Sequence, residues 1–120
     1  MKYKATVAST NIDDNLERFS AHAISDMQRG VSSSIPIFED GVDSPLPNSK
    51  VLGVYLEDNA LSIIVQSKYN LDSYYLVPHI RVIESHNENG IRVLDRVELY
   101  ALSLTNRPAD QTLASIEVLK

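Results

Sequence analysis

The chain has 120 residues, 43% of them apolar and 22% charged, with a formal net charge of −5 and no cysteine. That length suits one domain, residues 1–120, with a real core, and the composition excludes wholesale disorder. An acidic balance with scattered Lys and Arg argues against wrapping nucleic acid, and without cysteine there is no disulfide, thiolate zinc site or cysteine nucleophile.

In chain order, "MKYKATVAST" carries two lysines with no apolar run behind them, so a secretory signal is not expected. Residues 2–9 alternate, placing Tyr3, Ala5 and Val7 on one face of a half-buried strand. The polar segment 10–19 reads as a loop. Ser20 can cap a helix over about residues 20–31, because its hydroxyl can accept an otherwise orphaned N–H. Ile24, Met27 and Val31 then form its apolar stripe, and Gly30 with the serines at 32–34 ends it. "IPIF" (35–38) reads as a short edge strand, since Pro36 cannot donate to a ladder.

A long loop follows at 39–49. "KVLGVYLE" and "ALSIIVQSKY" flank Asp58-Asn59, a pair suited to a tight hairpin. "HIRVIES" and "IRVLDRVELYALSL" flank a five-residue tip, His86 to Gly90, and "SIEVL" (115–119) is a final strand. Six or seven strands and one main helix make an α+β fold, mostly antiparallel. Closure into a small barrel, complete or partly open, would protect the edges of so many strands. No apolar stretch approaches the roughly 18 residues of a membrane span, so no membrane association is expected.

Local chemistry is sparse. His79 and His86 lie an odd number of residues apart, which points them to opposite faces of a straight strand. With His22 on the helix, the histidines make poor co-ligands, and neither metal nor cofactor is expected. The loop "FEDGVDS" carries Glu39, Asp40 and Asp43 but lacks the alternating acids of a calcium loop. Neither a Gly-x-Ser-x-Gly elbow nor a Ser-x-x-Lys pair occurs. Tyr74 and Tyr75 would put one ring on each face of a strand, one of them in the core. Glu39, Asp40, Asp43, Tyr74 and Tyr75 are the candidate interaction residues.

"KATVASTNIDDNLERFSAHAISDM", "SIPIFEDG", "PNSKVLGVYLEDNALSI" and "IRVIESHNENGIRVLDRVELYALSLTNRPADQT" follow one another over nearly the whole chain. In that order the sequence resembles the prohead proteases of tailed phages, head-maturation serine proteases that share a fold with the herpesvirus assemblins. The closing signature of the family is matched at Ala101–Thr105 and Arg107-Pro108-Ala109-Asp110. The resemblance implies a catalytic histidine where Glu39 and Asp40 stand, a nucleophilic serine at Val77, and an acid at Ala101 with Glu98 nearby. The segment between "VQSKY" and "LVPHI" is also shorter than the family's.

Valine cannot attack a carbonyl. The resemblance therefore implies an inactive relative, bacteriophage in origin, acting in head or virion assembly as a structural, decoration or scaffold-associated protein. Its partners would be other virion or capsid proteins, or a second copy, met through sheet edges or the loop 39–48 in the virion or host cytoplasm. Two alternatives stay open: an active maturation protease with a displaced pair (His79 or His86 with Ser67 or Ser73), and an unrelated small β-rich binding domain.

Overall fold

The computed structural model describes residues 1–39 and 42–119. Along these run β1 (Lys2–Ser9), β2 (Glu17–Phe19), α1 (Ala21–Gly30), β3 (Ile37–Phe38), β4 (Ser49–Glu57), β5 (Ala60–Ser67), β6 (Tyr75–Glu88), β7 (Ile91–Thr105) and β8 (Glu117–Leu119). One sheet has the order β4-β5-β1-β8. In the other, β7 pairs with β2 and β3 on one side and β6 on the other. The class is α+β and mostly antiparallel; β2 and β3 are the two parallel additions, both on β7.

Local chemistry explains the elements that were expected. In β1, Tyr3, Ala5 and Val7 are buried, and a register shift between Thr6 and Ala8 lets Ala8 turn inward as well. Asp58 and Asn59 both have positive φ, at 49° and 63°, as a two-residue turn matching the strand twist requires. The Ser20 hydroxyl accepts the Ala23 N–H at 3.0 Å, capping α1, which buries Ala23, Ile24 and Met27. Val31, just past the helix, packs partly against the core. Both sheets and the helix feed one apolar cluster, from Tyr3 and Ile63 to Leu76, Leu102 and Ile116.

Four expectations change. The segment 10–19 is not all loop, because Glu17–Phe19 pairs in parallel with Arg92–Leu94; with it the described strands number eight. The second hairpin turns on Asn89-Gly90 alone, both at positive φ, and His86–Glu88 continue β6. Neither Tyr74 nor Tyr75 is in the core: Tyr74 is exposed and Tyr75 half-buried, while Leu71 and Leu76 fill the interior beside them.

The fourth change concerns the barrel. Among the described residues no ladder closes the two sheets on each other. On one side β4 ends its sheet and pairs with β5 alone; on the other, β8 pairs only with Lys2–Lys4 of β1 and leaves the rest of that side of β1 without a strand. At one end main-chain bonds cross this seam: Ser73 N–H donates to the Ile116 carbonyl at 3.2 Å, and Ile116 N–H to the Tyr74 carbonyl at 2.6 Å. No helix among the described residues is long and apolar enough to cross a membrane.

Candidate functional site

The helix-side edge of β7 is accounted for almost bond by bond. Arg92 N–H donates to the Leu16 carbonyl, and the Leu94 and Asp95 carbonyls accept from the Ser20 N–H and hydroxyl. Leu102 N–H donates to the Pro36 carbonyl at 2.9 Å. Between these, where no strand reaches, the Asp26 carboxylate of α1 accepts the Val97 N–H at 3.2 Å. Gly30 lets the helix end lie against this edge, since a Cβ there would meet Leu99 Cβ at 3.3 Å.

Asp26 is the most constrained ionisable group. Its side chain is only 7% exposed, and it accepts from Arg96 Nε at 2.9 Å and from Arg29. Burial alone would push its carboxyl upward, but the Arg96 guanidinium, the Val97 N–H and nearby His22 outweigh it and hold it below the usual carboxylate range. The sequence reading missed Asp26. Its signal was available: an acid flanked by Ile24 and Met27, with His22 four residues before and Arg29 three after, faces the core side of a helix.

Three clefts adjoin one another through shared lining residues. One of about 290 Å³ is lined by Phe38, Glu39, Val42, Asp43, His79, Tyr100, Ala101 and Ser103. A second, about 390 Å³, takes in Val77, Pro78, His79, Ile80 and Ser103, the end of β1 and the loop from Arg107 to Asp110. The third, about 450 Å³, holds Glu39, Leu46, Tyr69, Leu71 and Tyr74. Glu39 is shared by two of them, and His79 with Ser103 by another two.

The expected site residues therefore gather in part. Glu39, Asp43 and Ala101 line one cleft, Val77 its neighbour and Tyr74 the third. Tyr75 lines none of the three, and Asp40 lies outside the described residues. The loop after β3 is held alongside it, Phe38 bridging to Pro45 and Leu46 N–H donating to the Ile37 carbonyl at 2.7 Å. Residues given no role in the sequence reading complete the surface: Tyr100, whose ring meets His79 edge-on at 6.0 Å, and Ser103.

The displaced pairs are not assembled. The Ser67 hydroxyl is buried against Ser49 Oγ at 2.7 Å and the Tyr69 N–H. His86 sits near the far hairpin, Nδ1 2.6 Å from Asp95 and Nε2 3.2 Å from Glu88. Hydrogen bonds to Asp95 and then Glu88 raise its pKa above the ordinary histidine value. Glu98 is engaged by Arg81, both carboxylate oxygens at 2.7 Å. Among the described residues no serine or threonine hydroxyl is hydrogen-bonded to an imidazole, and no group of three His, Asp or Glu could hold a metal ion.

The loop Arg107–Asp110 is fixed by its acid. The Asp110 carboxylate accepts from the Ser9 hydroxyl and from the Thr112 N–H and hydroxyl, and the Ala109 carbonyl accepts the Asp14 N–H at 2.8 Å. This ties the closing loop to the end of β1 and forms one wall of the 390 Å³ cleft.

No family model, curated protein or solved structure matches the chain.

Proposed function

We propose that the chain is a non-catalytic, protease-fold protein of a tailed phage, acting in head or virion assembly as a structural, decoration or scaffold-associated component. The ordered resemblance to prohead proteases supplies the class. One geometric observation carries the loss of chemistry. Glu39, Val77 and Ala101, which stand where the resemblance puts a base, a nucleophile and an acid, come together on two adjoining clefts. Val77 supplies no nucleophile and Ala101 no acid, so a carboxylate at Glu39 has no hydroxyl to activate there, and acyl transfer requires a nucleophile with a base in hydrogen-bond reach.

The two sheets fit the same proposal as a barrel opened at two seams, one between β1 and β6 and one along β4. The main-chain bonds between residues 73–74 and Ile116 support this, as they span the first seam, where a ladder is missing. The partner is a virion or capsid protein bound at the clefts around Glu39 and Tyr74, in the virion or host cytoplasm.

The test uses purified chain, the capsid precursor and proheads. The precursor stays intact by mass spectrometry, and the chain co-sediments with proheads. Cleavage lost on His79→Ala or Ser73→Ala would restore the protease alternative. Intact precursor without co-sedimentation would leave the chain as an unrelated binding domain.

A further inference from the structure

The free edge of β6 has a determinable hydrogen-bonding polarity. Leu102 sends its N–H to Pro36 on the far side of β7, so its partner Pro78 sits in a non-hydrogen-bonded pair and turns its own main-chain groups outward. That is where a proline costs no ladder bond. Val97 likewise sends its N–H to Asp26, so its partner Val82 faces outward, and Ile80 with it. Among the described residues no strand is paired with this edge, and at Pro78 and Ile80 it lines the 390 Å³ cleft whose facing wall is Val7 and Ala8 of β1.

The cleft has two chemistries. Its floor is apolar, with Val7, Ala8, Ile80 and Leu113, while its rim carries Asp13, Glu17 and Asp110 with Arg107, and Glu17 is also ion-paired to Arg92 at 3.1 Å. The adjoining cleft adds Glu39 and Asp43. An extended peptide laid along the edge would place alternate side chains on the floor and the others toward the acidic rim.

We propose that β6 accepts an extended segment of a partner protein as an added strand, apolar on one face and bearing Lys or Arg on the other. The outward N–H groups of Ile80 and Val82, and the outward carbonyls from Pro78 onward, give the main-chain bonds. The apolar floor and the carboxylates select the side chains. This deepens the assembly reading and rests on it for the identity of the partner as a virion protein; the edge itself is a property of the chain alone.

The experiment titrates isotope-labelled full chain with an end-capped octapeptide of alternating Val and Lys, following amide shifts. Binding should map to residues 77–82 and to the loop 107–113, and weaken at least tenfold when Glu replaces Lys. Methylating alternate peptide nitrogens, which removes donors without changing charge, should weaken it to a similar extent. Val82→Pro, which deletes one outward donor, should weaken it severalfold with the rest of the spectrum unchanged. Equal affinity for the Lys and Glu peptides, indifference to N-methylation, or shifts confined to β4 would each overturn the proposal. Mass analysis of the same samples separates the two readings: a bound but cleaved peptide keeps the strand site and removes the non-catalytic role. An intact, unbound peptide removes the strand site alone.

Discussion

The two long edges of the β6–β7 sheet receive opposite treatment. On the β7 side, two short parallel strands, a helix cap and one buried carboxylate satisfy the main chain in turn. On the β6 side, the main-chain groups of Pro78, Ile80 and Val82 face outward and, among the described residues, no strand pairs with them; Val7 and Ala8 of β1 stand across the cleft. One edge is sealed in part by a carboxylate only 7% exposed, and its neighbour is left without a paired strand among the described residues. Unpaired strand edges invite pairing with another chain, so an edge left open beside a cleft is a place to receive one.

The contrast can be broken most sharply at Asp26. Replacing it with Ala leaves Arg96 and the Val97 N–H without their partner, and should destabilise the fold by about 1–3 kcal/mol in urea unfolding. A loss under about 0.5 kcal/mol would mean the β7 edge does not depend on this carboxylate. Ser20→Ala should cost about 1 kcal/mol, because the hydroxyl both caps α1 and donates to β7.

Acid should act on the sealed edge. Asp26 titrates below its unfolded value, so its contribution is complete above about pH 4 and is lost as pH falls through the folded value. Unfolding of Asp26→Ala should therefore depend less on pH in that range than unfolding of the parent chain. His86 works in the opposite sense. Its folded pKa is raised, so its ion pairs with Asp95 and Glu88 help most below about pH 6.5 and weaken as pH rises through the folded value. A proton-detected titration of His86 should give a value above that of His86 in an Asp95→Asn variant. The smallest effect belongs to the open side: Glu98→Ala, which removes an exposed pair with Arg81, should change stability by less than about 0.5 kcal/mol.

How far this contrast could be read from sequence depends on the range of the forces involved. The Ser20 cap, the Asp58-Asn59 turn and the alternation of Tyr3, Ala5 and Val7 are short-range chemistry, and each was legible. β2 was not, because Glu17-Arg18-Phe19 has no strand pattern of its own and is held by pairing with residues 92–94, far along the chain. The second hairpin was legible as a hairpin, but its polar residues His86–Glu88 resembled a loop while pairing with β7. Tyr74 and Tyr75 lost the core to Leu71 and Leu76, and the sheets did not close because β8 is three residues long and β4 pairs with β5 alone. In the candidate site, residue types showed what is lacking at Val77 and Ala101. Only the fold shows that Glu39, His79 and Ser103 link the neighbouring clefts.

Native-state amide hydrogen exchange on the uniformly labelled chain compares the two edges in one measurement. Sealed and open main-chain groups on adjacent strands differ in protection according to their local opening. The N–H groups of Val97 and Leu102 should be protected, while those of Ile80 and Val82 exchange at least about tenfold faster and slow down when the Val-Lys octapeptide is present. Equal protection at all four positions in the free chain would contradict the open edge, and with it the proposed strand site on β6.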